Sequence, residues 1–148
     1  MSAGRRVLVL NGPNLGRLGR RQPEIYGTTT HEDLAGLCER WGREQGLEVE
    51  VRQTNHEGEL LDWLNTAADD AVPVVLNAGA WTHYSLALHD ACAQLEAPLV
   101  EVHISDPRRR PESFRHVSYV EPHAVATIAG RGVDGYRAAL ELLVPAGS

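Results

Sequence analysis

The chain has no lysine; all fourteen of its basic side chains are arginines. A side-chain Schiff base is therefore excluded. Any carbonyl chemistry here has to run through acid–base steps or a metal. Cysteine is scarce as well: Cys38 and Cys92 sit far apart within helical patterns, and no CxxC occurs. They read as two reduced, buried thiols of a cytosolic protein. No apolar run approaches the roughly 20 residues that span a bilayer. The opening MSAGRRVLVLNG is basic and then only briefly apolar, too short for a signal peptide. The net charge of -6 speaks against general nucleic-acid binding. The seven histidines form no HxxxH or HExxH spacing, so no metal site is expected. There is no G-x-S-x-G elbow, and residues 12–16 lack the Gly-Lys-Ser/Thr of a phosphate loop.

With 148 residues, 43% of them hydrophobic and 23% charged, the composition is that of one globular domain spanning residues 1–148. Apolar runs alternate with helical patterns. Strands are expected at Val7 to Leu10, Leu47 to Arg52, Pro73 to Asn77, Pro98 to His103 and Ala124 to Ala129. Helices are expected from the Thr30 cap to Gly46, at Glu57 to Ala68, His83 to Leu95 and Tyr136 to Val144. Thr30 with Asp33 has the form of a capping box. Strands separated by crossover helices imply an α/β three-layer sandwich whose parallel sheet is covered on both faces. Five strands in a chain of this length fit the flavodoxin-like order 2-1-3-4-5.

In such sheets ligands bind beyond the carboxyl ends of the strands. Three polar clusters fall there: Asn14 to Tyr26, Asn77 to His83 and Glu101 to Ser105. The first holds Arg17, Arg20 and Arg21 with Tyr26. A guanidinium such as Arg21 stabilises a phenolate and makes Tyr26 a usable base; otherwise these arginines are a solvated cationic loop. His103 ends a strand, and its imidazole can give or take a proton near neutral pH. Glu101, two residues earlier, points to the same sheet face and can fix the ring's tautomer. Asn77, Gly79 and His83 supply donors beside a small-residue turn, suited to hydroxyls and carboxylates. Arg108, Arg109, Arg110 and Arg115 lie on a long loop able to act as a lid. On an acidic chain, such local cations suggest a small anionic substrate. His31, His56, His116 and His123 sit in polar, turn-like contexts and read as surface or capping residues. Gly130 to Gly135 spells G-x-G-x-x-G, but only thirteen residues follow, too few for the next strand of a dinucleotide fold. A tight strand-to-helix turn is the better account.

These segments together resemble one family, the type II 3-dehydroquinate dehydratases. The matching motifs are NGPNL with R-x-P-E-x-Y-G (Asn11 to Gly27), NHEGEL (Asn55 to Leu60), N-x-G-x-x-T-H (Asn77 to His83), EVHIS (Glu101 to Ser105), FRHxSY (Phe114 to Tyr119) and GxGxxGY (Gly130 to Tyr136). The resemblance implies a hydro-lyase of the shikimate pathway that removes water from 3-dehydroquinate through an enolate, giving 3-dehydroshikimate. It implies Tyr26 as base, Arg21 as promoter of its phenolate and Asn14 as holder of a water on the enolate oxygen. It implies His103 as acid, oriented by Glu101. Asn77, Gly79, His83, Ile104, Ser105 and Arg115 are then substrate contacts, and Asp90 reaches the site of an adjacent subunit. The family implies a cytoplasmic homododecamer, a tetramer of trimers, with no metal or cofactor and no nucleic-acid or membrane partner. Against the usual pattern, the loop between Arg110 and Phe114 carries one extra residue, and Tyr84, His89 and Gln94 replace commoner types. Two rivals are a catalytically idle binder of a shikimate-like acid and a flavin-binding relative of flavodoxin.

Overall fold

Val7, Leu8, Val9 and Leu10 are buried almost completely, as a strand covered on both faces requires. They form the middle of β1 (Arg5–Asn11). The computed structural model describes residues 4–146, apart from the side chain of Tyr26. Among the described residues the other strands are β2 (Leu47–Gln53), β3 (Val74–Asn77), β4 (Leu99–His103) and β5 (Ala126–Ala129). All neighbouring pairs are parallel and the order is β2-β1-β3-β4-β5. The flavodoxin-like topology expected from the alternation of segments is the one observed.

Successive residues of β1 point to opposite faces and enter two separate cores. Val7 and Val9, with Val75, Val100 and Val102, pack against α2 (His31–Glu44) and α5 (Asp134–Leu142) through Leu34, Cys38, Trp41, Tyr136 and Leu140. Leu8 and Leu10, with Val74, Leu76 and Leu99, pack against α3 (Glu57–Asp70) and α4 (Leu86–Ala93) through Leu60, Leu64, Leu88 and Cys92. Each fully buried Leu or Val side chain stabilises the fold by about 2 kcal/mol. The two cysteines are buried free thiols in different cores, on opposite sides of the sheet. Helix α2 opens with the expected box: Thr30 Oγ1 accepts from Asp33 N–H at 3.1 Å, and Asp33 Oδ2 accepts from Thr30 N–H at 3.1 Å.

Three segments differ from expectation. The polar loop after β1 contains α1 (Pro23–Tyr26), started by a proline at its first position. The helix expected from His83 begins three residues later. Ser85 is extended and caps α4 by accepting from Leu88 N–H at 3.0 Å, while its hydroxyl donates to Glu57. Residues Gly79–His83 form a separate 3₁₀ turn, entered at Gly79 with a φ of 59° that favours glycine. The arginine- and proline-rich loop after β4 holds two further 3₁₀ turns, Pro107–Arg109 and Ser113–His116.

Candidate active site

The sheet order reverses between β1 and β3, and these strands end in Asn11 and Asn77. Such a switch point leaves a crevice at the carboxyl edge. The two rim turns nearly touch there. Gly12 N–H donates to Asn77 O at 2.8 Å, and a Cβ on Gly12 would lie 2.7 Å from Ala78 O. Only glycine permits that approach. Beyond it lies an open cleft, lined by Asn14 and Arg21 from the first loop and by Asn77, Gly79 and His83 from the second. His103, Ile104, Ser105 and Arg115 close it from the β4 side.

The β4 wall carries an acid–base pair. His103 Nε2 donates to Glu101 Oε2 at 2.5 Å, with both side chains buried. Ser118 Oγ donates to the same oxygen at 2.8 Å, and Thr127 Oγ1 donates to Oε1 at 3.1 Å. Burial alone would push the Glu101 carboxyl up. The hydrogen bond and charge of His103, with the two hydroxyls, outweigh it and hold the group below the usual carboxylate range. Because Nε2–H is committed to Glu101, Nδ1 is the nitrogen left to exchange a proton. The expected pairing along one face of the strand is therefore present. The G-x-G-x-x-G turn serves this wall: Gly130 N–H donates to His103 O at 3.3 Å, and Gly132 N–H donates to Ile104 O at 3.0 Å. Both glycines have positive φ, 79° and 61°.

His83 faces His103 with ring centroids 6.4 Å apart and planes 16° from parallel. Its Nδ1 donates to Val117 O at 2.7 Å, which fixes the tautomer and leaves Nε2 as acceptor. Partial burial lowers the His83 pKa, and the nearby His103 and Arg115 charges add to this. The ring is thus a neutral acceptor for a hydroxyl. Arg115 Nε donates to Glu112 Oε2 at 2.8 Å, and its guanidinium lies 4.9 Å from the Phe114 ring centroid. Arg115 itself lies on the wall of the cleft.

Asn14 has a left-handed φ of 70°, tolerated by asparagine. Its N–H donates to Asn55 Oδ1 at 2.9 Å, and Gln53 Nε2 donates both to that oxygen and to Gly12 O, each at 3.1 Å. The NHEGEL segment therefore braces the first rim turn. Tyr26 ends α1, and its side chain lies outside the described residues. Its neighbours Ile25 and Gly27 line an adjoining groove with Ile104 and Ser105, so this part of the backbone follows the same rim. Arg17 and Arg20 are exposed and do not line the cleft, unlike Arg21. Asp90 is on α4, largely exposed, bonded to His89 Nδ1 at 3.1 Å and away from this chain's own cleft.

Sequence reasoning missed the hydroxyls of Ser118 and Thr127, which reach Glu101 from separate segments. Thr127 sits opposite Glu101 in the β4–β5 register, a signal available only once the strands are paired. His31, expected as a surface or capping residue, is instead half-buried and bonded to Asn11. Among the described residues no group of three or more His, Cys, Asp or Glu side chains is placed to hold a metal. No helix among them is long and apolar enough to cross a membrane.

Comparison with known proteins gives one answer. The family model described as dehydroquinase class II matches residues 5–144. The 3-dehydroquinate dehydratase of Salinispora arenicola is 66% identical over 135 residues, 91% of this chain and 94% of that protein. The protein of the same name from Mycobacterium tuberculosis is 57% identical over 137 residues, 93% of this chain and 92% of the relative. The crystal structure of type II dehydroquinase from Propionibacterium acnes superposes with a TM-score of 0.93 at 56% identity, covering 97% of this chain and 99% of that one. The chain therefore belongs to the type II dehydroquinase family of hydro-lyases.

Proposed function

We propose that this chain is a 3-dehydroquinate dehydratase of the shikimate pathway, working through an enolate with Tyr26 as base and His103 as acid. The observation that carries the reading is the buried Glu101–His103 pair opening on a cleft that Arg21, Asn77, His83, Ser105 and Arg115 also line. A small cyclic hydroxy acid needs such a mixture of guanidinium, amide and imidazole groups around it.

The Tyr26 phenolate, favoured by the Arg21 guanidinium, removes the proton alpha to the ketone. The electron pair moves onto the carbonyl oxygen as an enolate, and a water positioned by Asn14 hydrogen-bonds that oxygen. His103 then gives a proton to the departing hydroxyl. Water leaves, and a double bond conjugated with the ketone forms. Glu101 orients the imidazole throughout. Asn77, Gly79, His83, the backbone of Ile104 and Ser105, and Arg115 hold the substrate's carboxylate and hydroxyls. Asp90 completes the site of an adjacent subunit in a homododecamer built as a tetramer of trimers. The enzyme acts in the cytoplasm, and the scheme uses no metal or organic cofactor. Its lysine-free sequence fits a route without an imine.

The test is to mix purified protein with 3-dehydroquinate and follow the ultraviolet absorbance of the conjugated enone. Steady growth of that band supports the reading. An idle binder is stabilised thermally by a shikimate-like acid but produces no band, and that result overturns it.

A further inference from the structure

Asn77 lines the cleft but is nearly buried, and its amide is held from behind by a chain of hydrogen bonds. Asn77 Nδ2 donates to Tyr136 Oη at 2.9 Å. Tyr136 Oη donates to Asn11 Oδ1 at 2.7 Å. Asn11 Nδ2 lies 3.0 Å from His31 Nε2. Asn11 and Tyr136 are both 0% exposed, and neither they nor His31 line the cleft.

The direction of the chain is decided at one end by the backbone. Gly79 N–H, which can only donate, meets Asn77 Oδ1 at 3.2 Å. Nδ2 is therefore the atom turned to Tyr136, whose oxygen accepts from it. The single hydroxyl proton of Tyr136 then has to go to Asn11 Oδ1. That leaves Asn11 Nδ2 facing His31, so Nε2 must accept and the ring carries its proton on Nδ1. Burial lowers the His31 pKa, and the ring is the first residue of α2, whose positive end also disfavours imidazolium. Both observations agree with a neutral acceptor. The order fixed at Asn77 by the Gly79 N–H thus runs through Tyr136 and Asn11 to a neutral His31, three hydrogen bonds away.

We infer that Tyr136, Asn11 and His31 are positioning residues for substrate binding: they hold the nitrogen end of the Asn77 carboxamide, as the Gly79 N–H holds its oxygen end, so that its remaining N–H and lone pair face the substrate in one fixed geometry. Without the Tyr136 hydroxyl the amide keeps only its contact with the Gly79 N–H, and its Nδ2 loses the partner that holds it in place. Ground state and transition state share this contact, so its loss falls on KM rather than on kcat. This rests on the reading of Asn77 as a substrate contact.

The experiment is steady-state kinetics on 3-dehydroquinate with thermal melts of each variant. Tyr136→Phe removes both hydrogen bonds of the hydroxyl with little change of shape. KM is expected to rise about 3- to 10-fold, the factor for one hydrogen bond, with kcat within about twofold of wild type. His31→Leu, altered outside the cleft, is expected to raise KM in the same direction. His31→Gln, whose amide oxygen can still accept from Asn11, is expected to recover most of the loss. A role confined to stability lowers the melting temperature and the active fraction but leaves KM alone. KM within about twofold of wild type in a folded Tyr136→Phe protein overturns the inference. If that variant does not fold, an unchanged KM in His31→Leu overturns it equally. Asn77→Ala separates the two layers. If it leaves KM unchanged, the assignment of Asn77 itself fails; if it raises KM while the other variants do not, only the positioning chain fails.

Discussion

Glu101 and His103 face the same side of β4, two residues apart, and are joined by a hydrogen bond of 2.5 Å in a buried setting. The carboxylate is 1% exposed and meets the imidazole that lines the cleft. Its effect on turnover is therefore indirect, through the orientation and charge of the imidazole.

Glu101→Gln keeps the size and an acceptor but removes the charge. It is expected to lower kcat by about 10- to 100-fold, less than the range for losing a general acid altogether. Glu101→Ala leaves His103, Ser118 and Thr127 without their acceptor and costs stability as well, about 3 kcal/mol. Kinetics and urea denaturation of the two variants separate these effects.

The shifted groups also set how stability varies with pH. His31 and His83 have pKa values below their ordinary 6.5, so the unfolded chain takes up their protons first. Stability is expected to fall as pH drops below about 6.5. Glu101 is held below its ordinary 4.5, so its contribution persists above that value and is lost as pH falls through the folded one. Denaturant melts from pH 7 to pH 3 should show decline in both windows. His83→Gln weakens the upper slope and Glu101→Gln the lower; unchanged slopes contradict the assignment.

Two glycines should respond in opposite ways to alanine. At Gly12 the new Cβ meets Ala78 O at 2.7 Å, backbone against backbone. Gly12→Ala is expected to destabilise by about 1–3 kcal/mol and to raise KM by spreading the rim turns. At Gly36, inside α2, nothing lies within 4 Å of the added atom. Gly36→Ala is expected to stabilise by about 0.5–1 kcal/mol. Melting temperatures check both.

The absence of lysine gives a chemical prediction. Borohydride added during turnover is expected to attach nothing to a side chain, because no side-chain imine forms. Intact-protein mass spectrometry reads this, and a substrate adduct reduced onto a side chain contradicts the enolate route.

Local patterns in the chain carried the sheet order, the Thr30–Asp33 cap and the alternation that pairs Glu101 with His103. Each depends on residues within a few positions of one another or on the rhythm of strands and helices. Ser118 and Thr127 could not be found that way, since they approach Glu101 from 17 and 26 residues away. Tyr136 meets Asn11 across 125 positions, joining the last helix to the first strand. Helix α4 starts later than its periodicity suggests because Ser85 is extended and caps it through Leu88 N–H, its hydroxyl held by Glu57 of a different helix. What long-range polar contacts decide is not written in periodicity.

In the proposed mechanism an ionised phenol at Tyr26 takes the proton that starts the elimination. The most direct measurement is kcat on 3-dehydroquinate for Tyr26→Phe beside wild type, with ligand-induced thermal stabilisation as a check on binding. A fall of about 10²-fold or more is expected, with stabilisation by a cyclic hydroxy acid retained. A folded Tyr26→Phe enzyme that turns over within about threefold of wild type contradicts it.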